Sequence, residues 1–309
     1  MKAIAIIISL LLLLTACNVD MSGYAITDFD TPKETSKAAP KEKEPEEPVK
    51  LCSPNVTIAS FNMKDFSDKT RTDQELSMVT DVLSKFDLIT AQEIVGDPII
   101  LNRTVDMLNN KTGKHYLFEV SAPLGNVQKE RYAFIFDKDK VQILEEPAVY
   151  ADVSNKFIRE PYFAVFKADN FDFILLTIHI KYGEGPDDRT EEMKEIASVY
   201  NYLQSRDPVE NDVILTGDFN TQPREDNFKY IKEIKDSWYA ISKGKTTLGS
   251  SGNLYDNIIF TKTPTQEYTG AKGIYMFDDI MDLTSDEAKQ AVSDHRPVYA
   301  VFCTGTDDD

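Results

Sequence analysis

Cysteine, histidine and tryptophan are scarce in this sequence. Its 309 residues include three cysteines, three histidines and one tryptophan. Structural zinc sites are built from cysteines and histidines at short, regular spacings, and no such cluster occurs in the sequence. No internal repeat is present either. A structural zinc site and a repeat architecture are therefore excluded, and any metal chemistry must rest mainly on oxygen ligands.

An excess of positive charge is also missing. The chain has 34 Lys and Arg against 52 Asp and Glu, which gives a formal net charge of −18 at pH 7. Such a chain does not attract nucleic acid or anionic lipid by its overall field. A substrate that carries phosphate would have to be held by local cations or by a metal ion. The charge thus weakens a nucleic-acid function without excluding it.

The N-terminus has no apolar run long enough to span a membrane. The run from Ala3 to Leu14 has twelve residues, and a helix of that length reaches about 18 Å, short of the ~30 Å hydrocarbon core. Lys2 precedes this run, and small residues follow it. The pattern predicts a bacterial export signal over residues 1–16.

The segment LTAC at residues 14–17 resembles the lipobox of bacterial lipoproteins, in which the cysteine is lipidated and becomes the new N-terminus. We therefore expect lipidation of Cys17 and a lipid-anchored protein of the bacterial cell envelope. Asn18, rather than aspartate, follows the cysteine, which predicts passage to the outer membrane or cell surface. The alternative is an ordinary secretory signal that ends by chance near a cysteine.

Residues 17–50 predict a disordered tether behind the lipidated cysteine. They contain few large apolar residues and many Pro, Glu and Lys, so they cannot bury enough surface to offset the entropy lost on ordering. Residues 51–303 have a length that suits one large α/β domain. Residues 304–309 form an acidic tail.

Apolar residues spaced three and four apart predict three helices within this domain, at residues 73–86, 99–113 and 188–206. Gly113 is expected to close the second helix, because glycine accepts the left-handed conformation of a helix end. Asp187 or Asp188 is expected to cap the third helix.

Short apolar or alternating runs predict strands between these helices, and a hairpin is expected to turn near Asp169 and Asn170. Strands and helices do not alternate regularly, which argues against a doubly wound sheet. We expect two mixed β-sheets flanked by helices, in a four-layer α/β/β/α sandwich.

Many predicted strands begin or end at a residue that can bind a metal or transfer a proton. These residues are Asn62, Glu93, His179, Asp218, Asn220, Asp256, Asp294 and His295. Polar side chains gathered at strand ends are typical of a site on a rigid scaffold. Carboxylate and amide oxygens favour Mg²⁺ or Mn²⁺, with Ca²⁺ as a further option. Two histidines beside them suit acid–base chemistry at a phosphoryl group.

The ordered motifs resemble the deoxyribonuclease I-like endonuclease/exonuclease/phosphatase family. They are SFNM, QEI, SAPLGNVQKERYAFIF, IREPYFAVF, LLTIHI, LTGDFN, LYDNII and VSDHRPV, and they cover nearly all of residues 56–301. KERYAFIF and REPYFAVF are similar to the nuclease branch rather than to the phosphatase or sphingomyelinase branches. The resemblance implies the four-layer fold and metal-dependent hydrolysis of phosphodiester bonds.

The resemblance also implies the catalytic residues. His179 and His295 would be the two catalytic imidazoles, one activating water and the other protonating the leaving oxygen. Glu130 would hold His179, and Asp256 would hold His295. Carboxylate partners of this kind select the tautomer of the imidazole and raise its basicity.

A further group of residues would bind the metal ion and the phosphate. The resemblance implies Glu93, Asn62, Asp294 and Asp218 as the metal site, and Asn220 and Arg159 as the contacts to phosphate and transition state. Arg296, beside His295, is expected to be a solvated charge at the rim.

Two positions depart from the family at the DNA contacts. The arginine that follows QEV in the family is Val95 here, and the loop GNVQ is one residue shorter, with Gln128 near the position of a tyrosine. In the family these side chains enter the DNA minor groove and stack on sugar. We therefore expect duplex DNA to be bound weakly or with relaxed specificity.

The remaining cysteines are Cys52 and Cys303. The family fold implies that the first and last strands pair antiparallel, which would bring both cysteines together at the end away from the site. An exported domain permits a disulfide there. The alternative is two free thiols.

The sequence therefore predicts a monomeric, lipid-anchored and metal-dependent endonuclease that hydrolyses DNA. One alternative is a phosphatase or phosphodiesterase of the same fold that acts on a small phosphorylated molecule or a lipid headgroup. The other is a non-catalytic lipoprotein that binds nucleic acid or a partner protein.

Overall fold

A computed structural model describes residues 48–126, 129–183, 186–206 and 212–307, with the backbone alone for 186–188. The predicted export signal, Cys17, the tether up to residue 47, Gln128 and the last two residues of the tail lie outside the described residues. Among the described helices, none has the length and apolar character needed to cross a membrane.

The described strands form two six-stranded sheets. The first sheet contains, in spatial order, β11 (Tyr268–Ile274), β12 (Val298–Cys303), β1 (Asn55–Phe66), β2 (Leu88–Val95), β4 (Glu130–Asp137) and β3 (Tyr116–Val120). The second contains β5 (Gln142–Val149), β6 (Tyr162–Ala168), β7 (Phe171–His179), β8 (Val213–Asp218), β10 (Asp256–Thr261) and β9 (Ser237–Tyr239). Both sheets are mixed, since β1 pairs with β2 and β7 with β8 in parallel, among antiparallel neighbours.

Helices cover the outer face of each sheet. They are α1 (Asp73–Leu83), α2 (Ile99–Thr112), α3 (Pro186–Gln204), α4 (Lys229–Lys232), α5 (Phe277–Ile280) and α6 (Ser285–Ala291), with a 3-10 turn at Asp226–Phe228. Side chains of α1, α2, α5 and α6 share one apolar cluster with the first sheet, and those of α3 and α4 share another with the second. A third cluster fills the space between the sheets. The predicted four-layer sandwich is confirmed.

The elements begin and end at local signals, of which Gly113 and the turn at Asp169 and Asn170 are those predicted. Thr72 caps α1 and forms a reciprocal capping box with Glu75. Gly113 ends α2 with φ 70°, and the hairpin between β6 and β7 turns at Asp169 and Asn170. The predicted cap of α3 is wrong, because the helix already begins at Pro186. Proline suits a first helical position, where its missing N–H has no intrahelical partner.

The side chains between the sheets change from apolar to polar toward one end. On β1 the inward positions are Val56, Ile58, Ser60 and Asn62 in turn, while Ala59 and Phe61 face the helices. This period of two is the ordinary alternation of a strand. Polar side chains therefore meet between the sheets at the end of β1 that carries Asn62.

Hydrogen bonds join the two sheets just behind this polar end. The hydroxyls of Thr90 on β2 and Thr216 on β8 are 2.8 Å apart, and Nε2 of Gln92 donates to the hydroxyl of Thr177 at 3.0 Å. All four side chains are fully buried. These contacts set the position of one sheet relative to the other close to the predicted site.

A disulfide closes the opposite end. β1 and β12 pair antiparallel, with Asn55 opposite Cys303 and Ser60 opposite Val298. The structure contains the Cys52–Cys303 disulfide, with Cα atoms 5.8 Å apart. Thr304 follows as a buried residue whose hydroxyl donates to Asp169 at 2.7 Å.

Candidate active site

The predicted site residues converge at the polar end of the sandwich. The parallel pair β7 and β8 sets His179 beside Asp218, and the antiparallel pair β8 and β10 sets Asp218 beside Asp256. A cleft of about 880 Å³ opens over them. The predicted residues that line it are Glu93, Glu130, Arg159, His179, Asp218, Asn220, Asp294 and His295. The structure therefore brings together residues from both sheets.

Strand alternation explains why most of these side chains point inward. Glu130 shares the inward register of β4 with Tyr132, and His179 and Asp218 continue the inward rows of β7 and β8. Glu93 breaks this pattern, because the alternation of β2 would turn it toward the helices. Its φ of 61° and a register shift between Ala91 and Ile94 redirect it. A left-handed backbone at a residue other than glycine stores strain, which is common at functional sites.

His179 and Glu130 form the first dyad. Nδ1 of His179 is 2.8 Å from Oε2 of Glu130, and Nη1 of Arg159 is 3.3 Å from the other carboxylate oxygen. Burial opposes ionisation of Glu130, but the hydrogen bond and close approach of His179, together with Arg159, hold the pKa of this carboxyl below its usual range. The carboxylate can only accept, so Nδ1 carries the proton and Nε2 faces the cleft.

His295 and Asp256 form the second dyad. Nδ1 of His295 is 2.8 Å from Oδ2 of Asp256, and both side chains are buried. Burial alone would lower the pKa of His295, but the carboxylates of Asp256 and Asp218 outweigh it and raise this pKa to about 10. The imidazole is therefore protonated at neutral pH, which is the state that a general acid requires.

Asp218 lies between the two imidazoles. Its Oδ2 is 3.7 Å from Nε2 of His179 and 3.7 Å from Nε2 of His295. Burial opposes ionisation of Asp218, but the positive charge of His295 and the interaction with the neighbouring His179 lower the pKa of the carboxyl. The two dyads thus face one buried carboxylate oxygen from two sides.

Asn62 links Asp218 to Glu93. Its Nδ2 donates to Oδ2 of Asp218 at 3.1 Å and to Oε1 of Glu93 at 2.8 Å. The backbone N–H of Asp65 donates to the other oxygen of Glu93 at 3.0 Å. Asn62 holds two carboxylates together that would otherwise repel each other.

Acidic and histidine side chains that could bind a metal ion therefore line the cleft. Asp218, Asp256 and His295 have ligand atoms within 4.8 Å of one another. Two of these three already form the second dyad, whereas Glu93 keeps a side chain that is 20% exposed in the cleft. Hard oxygen donors of this kind suit Mg²⁺ or Mn²⁺.

The phosphate contacts predicted from sequence are positioned with protein partners of their own. Nε of Arg159 donates to the carbonyl of His179 at 3.2 Å, and Nδ2 of Asn220 donates to the carbonyl of Ile180 at 2.9 Å. Both residues still line the cleft. Their roles toward phosphate stay predictions.

The expectation for Arg296 is wrong. Its guanidinium forms a two-pronged ion pair with Asp278, at 2.8 Å and 2.5 Å, and its side chain is only 12% exposed. The planar guanidinium matches a carboxylate in this way. Arg296 therefore fastens the His295 loop to α5 and is not a solvated rim charge.

Several supporting residues escaped the sequence analysis. Ser293 donates to the carbonyl of Asn62 at 2.6 Å and accepts from the backbone N–H of His295 at 3.0 Å. The buried guanidinium of Arg71 donates to the carbonyls of Lys64 at 3.0 Å and Val292 at 3.2 Å. Ser293 could have been noticed as part of VSDHRPV, but Arg71 carries no local signal because Val292 is distant in the chain.

Gly217 is a further residue that the site requires. It has φ 144°, and a Cβ atom at this position would lie 2.0 Å from the carbonyl oxygen of Ile178. β7 and β8 can pair closely beside His179 and Asp218 only because this side chain is absent. The motif LTGDFN contains the signal, but the close approach is visible only in the fold.

Comparison with known proteins supports the predicted resemblance. No protein-family model matches the chain. A deoxyribonuclease from Thioalkalivibrio sp. (strain K90mix) is 29% identical, over 80% of this chain and 71% of that protein. Deoxyribonuclease-1 from Bos taurus is 27% identical, over 79% of this chain and 91% of that protein. The resemblance to deoxyribonuclease I is confirmed at this level of identity.

Solved structures share the fold. TDP2 from D. rerio, complexed with single strand DNA product, has a TM-score of 0.58 at 16% identity, covering 81% of this chain and 99% of that one. A mannosyl-6-phosphatase from Bacteroides thetaiotaomicron has a TM-score of 0.54 at 15% identity, covering 79% and 98%. The chain thus has the fold found in endonuclease/exonuclease/phosphatase proteins.

Proposed function

We propose that the protein is a divalent-metal-dependent endonuclease that hydrolyses phosphodiester bonds of DNA. The observation that carries the proposal is the pair of histidine–carboxylate dyads, His179–Glu130 and His295–Asp256, which face one carboxylate in an open cleft. The similarity to deoxyribonucleases supports DNA as the substrate.

The two imidazoles divide the proton transfers. His179 accepts a proton from the attacking water at Nε2, while Glu130 holds the Nδ1–H and stabilises the charge that forms. Water adds to phosphorus, and the bond from phosphorus to the leaving oxygen breaks. His295, already protonated, donates a proton from Nε2 to that oxygen. Positioned acids and bases of this kind contribute about 10²–10⁴-fold each to the rate.

The charge of the cleft supports the requirement for a metal ion. Its lining includes five carboxylates, at Asp65, Glu93, Glu130, Asp218 and Asp294, which outnumber the cations at Arg159, Lys181 and Lys289 even with the protonated His295. A phosphodiester would be repelled by this balance. Glu93, Asp218 and Asp294 would hold Mg²⁺ or Mn²⁺, with Asn62 keeping the carboxylates in place; Ca²⁺ is a further option. When bound, the cation neutralises negative charge on the phosphoryl oxygens.

We also propose that a lipid on Cys17 anchors the protein in the bacterial cell envelope, at the outer membrane or cell surface. The LTAC motif and the short apolar run before it support this location. Metabolic labelling with palmitate should mark the wild type and leave Cys17→Ala unlabelled. Equal labelling of both would contradict the anchor.

Plasmid nicking tests the nuclease function. The full chain, purified in detergent, is incubated with supercoiled plasmid in Mg²⁺, Mn²⁺, Ca²⁺ or EDTA. We expect open-circular plasmid with Mg²⁺ or Mn²⁺ and none in EDTA or with His179→Ala. Nicking that is unchanged in EDTA would contradict the metal-dependent mechanism.

A phosphatase or phosphodiesterase of small phosphorylated molecules or lipid headgroups is the second candidate. The net charge of −18 and the neutral Val95 at a DNA-contact position favour it, and a phosphatase shares the fold. Hydrolysis of a phosphomonoester without plasmid nicking would select this candidate. A folded protein with no metal-dependent turnover would instead support a binding lipoprotein, against which the complete set of catalytic residue types argues.

A further inference from the structure

One wall of the cleft carries aromatic side chains that the hydrolytic mechanism does not use. Tyr182 and Tyr255 both line the cleft beside the catalytic residues. Tyr182 is 74% exposed, and the structure records no ring contact between it and any described residue. Tyr202, which is 56% exposed, differs because its ring packs edge-on against Tyr150 at 6.4 Å. Tyr182 therefore presents a largely exposed ring at the cleft.

The backbone that carries Tyr182 is held firmly. The N–H of Lys181 donates to Oε2 of Glu192 at 2.7 Å, and the N–H of Ile158 donates to the other oxygen at the same distance. The N–H of Ile180 donates to the carbonyl of Asp218 at 2.9 Å. Glu192 is buried. The backbone that leads into Tyr182 is thus fixed by hydrogen bonds beside His179.

Tyr255 extends this wall toward the second dyad. It immediately precedes Asp256, and its carbonyl accepts from the N–H of Phe219 at 2.9 Å. Burial and the nearby phenol of Tyr182 both raise the pKa of Tyr255. Both tyrosines line the same cleft as His179 and His295, so the aromatic wall lies beside the residues that would act on phosphorus.

Two lysines that could bind backbone phosphates line the same cleft. Lys181 is next to Tyr182, and Lys289 belongs to α6 on the His295 side. The structure records no ion pair between either amine and a described residue. A strand that crosses the cleft could place phosphates on these amines while the aromatic wall receives a base.

The chemistry of the wall favours one form of nucleic acid. Every nucleobase has a π-face that can stack on an aromatic side chain, but in a duplex both faces are already stacked on neighbouring pairs. Val95, at the end of β2, offers no cation to a duplex groove. An exposed tyrosine beside two lysines suits a flexible strand whose bases are unpaired.

We propose that Tyr182 and Tyr255 form a stacking platform for an unpaired nucleobase, so that single-stranded or locally unpaired DNA is the preferred substrate. The inference rests on the proposed DNA hydrolysis and specifies the substrate class for the same site. It extends the weak duplex binding expected from the sequence, because Tyr182 lies outside the motifs that resemble the family, whereas Tyr255 belongs to LYDNII.

The test compares single-stranded and duplex DNA. The full chain in detergent and Mg²⁺ is assayed on a non-self-complementary fluorescent oligonucleotide, alone and annealed to its complement. Variants are Tyr182→Ala, Tyr182→Phe and, as a matched surface tyrosine, Tyr202→Ala. The wild type should favour the single strand in kcat/KM. Tyr182→Ala should raise KM for it about 10-fold, equivalent to about 1.4 kcal/mol, whereas Tyr182→Phe and Tyr202→Ala should not.

Two outcomes would overturn the platform and leave the nuclease function standing. One is equal or faster cleavage of the duplex by the wild type. The other is a Tyr182→Ala variant that has an unchanged thermal midpoint and either loses the same fraction of activity on both DNA forms or keeps full activity on both. Hydrolysis of a small diester, bis(4-nitrophenyl) phosphate, distinguishes a wrong substrate class from an inactive enzyme. If the wild type hydrolyses it but cleaves neither DNA form, DNA as the substrate is wrong and the platform is overturned with it.

Discussion

The two ends of the strand pair β1 and β12 are held by opposite means. At one end the inward side chains are apolar and aromatic, and the ring centroid of Phe302 lies 5.8 Å from that of Phe171 and 5.6 Å from that of Phe260. The Cys52–Cys303 disulfide also lies at this end. At the other end the inward side chains are ionisable or amide groups joined by hydrogen bonds. The same strands thus carry a stabilising end and a reactive end.

The reactive end costs stability. Glu130, Asp218, Asp256 and His295 are all buried, and buried ionisable groups are tolerated only with partners. Glu93 and Asn220 add left-handed backbones, with φ 61° and 45°. The apolar end, the covalent bond and the helix layers offset this cost, so a site that is unfavourable in itself can be kept in place.

The largest effect is expected from substitutions at the reactive end alone. His179→Ala and His295→Ala should each lower the plasmid-nicking rate about 10³-fold, because a positioned proton donor or acceptor is lost. His115→Ala is the control, since His115 is exposed and pairs with Asp139 outside the cleft. Residual activity above a tenth of wild type in either variant would argue against the assigned role.

The next effect breaks the stabilising end alone. Replacing both Cys52 and Cys303 by serine should lower the free energy of unfolding by about 2–5 kcal/mol, because a loop of 251 residues is no longer closed. Guanidinium unfolding measures the change, and reduced wild type should match the variant. The nicking rate at 25 °C should stay within about twofold of wild type. A larger loss would show that the disulfide end influences the geometry of the site.

Removal of the dyad carboxylates should be milder than loss of the imidazoles. Glu130→Gln and Asp256→Asn keep the shape but lose the charge, and kcat should fall about 10- to 100-fold. Combining Glu130→Gln with His179→Ala should add little to the histidine variant, because residues of one unit are not additive. Steady-state kinetics check both statements; a full additional loss in the double variant would show that Glu130 acts independently.

A smaller effect is expected from the buried hydrogen bond that joins the two sheets. Thr90→Val removes one hydroxyl of the buried pair with Thr216 and should lower unfolding free energy by about 1 kcal/mol. Thr90→Val with Thr216→Val should cost less than the two single changes together, because either single change already removes the hydrogen bond between the two hydroxyls. Chemical denaturation of the three variants checks this. Strict additivity would mean that the inter-sheet hydrogen bond contributes nothing.

The smallest effect concerns pH. The folded pKa of Glu130 lies below its ordinary value of 4.5, so the folded state binds fewer protons than the unfolded chain. Its stabilising contribution is complete above pH 4.5 and is lost as pH falls through the folded pKa. Between pH 6 and pH 3, unfolding midpoints should therefore decline less steeply in Glu130→Gln than in wild type. Parallel declines would contradict the lowered pKa.

Much of the fold could be predicted because its signals are local. The helix at 73–83, the closing Gly113 and the turn at Asp169 each depend on residues a few positions apart. The strand-end residues could also be identified, since each stands directly beside an apolar run. The pairing of each histidine with its carboxylate came from the resemblance to a known family, because His179 and Glu130 are 49 positions apart.

The sequence by itself determined the elements, the polar strand ends and the ordered set of motifs, since these rest on period-two alternation, turn residues and residue type. Only the tertiary structure decided that Glu93 turns inward against the alternation, that Arg296 pairs with Asp278, and that Tyr182 stands over the cleft. The physical reason is that each of these features depends on tertiary contacts. Contacts between distant positions depend on how two sheets stack and which loops meet at their rim, and no local pattern encodes that geometry.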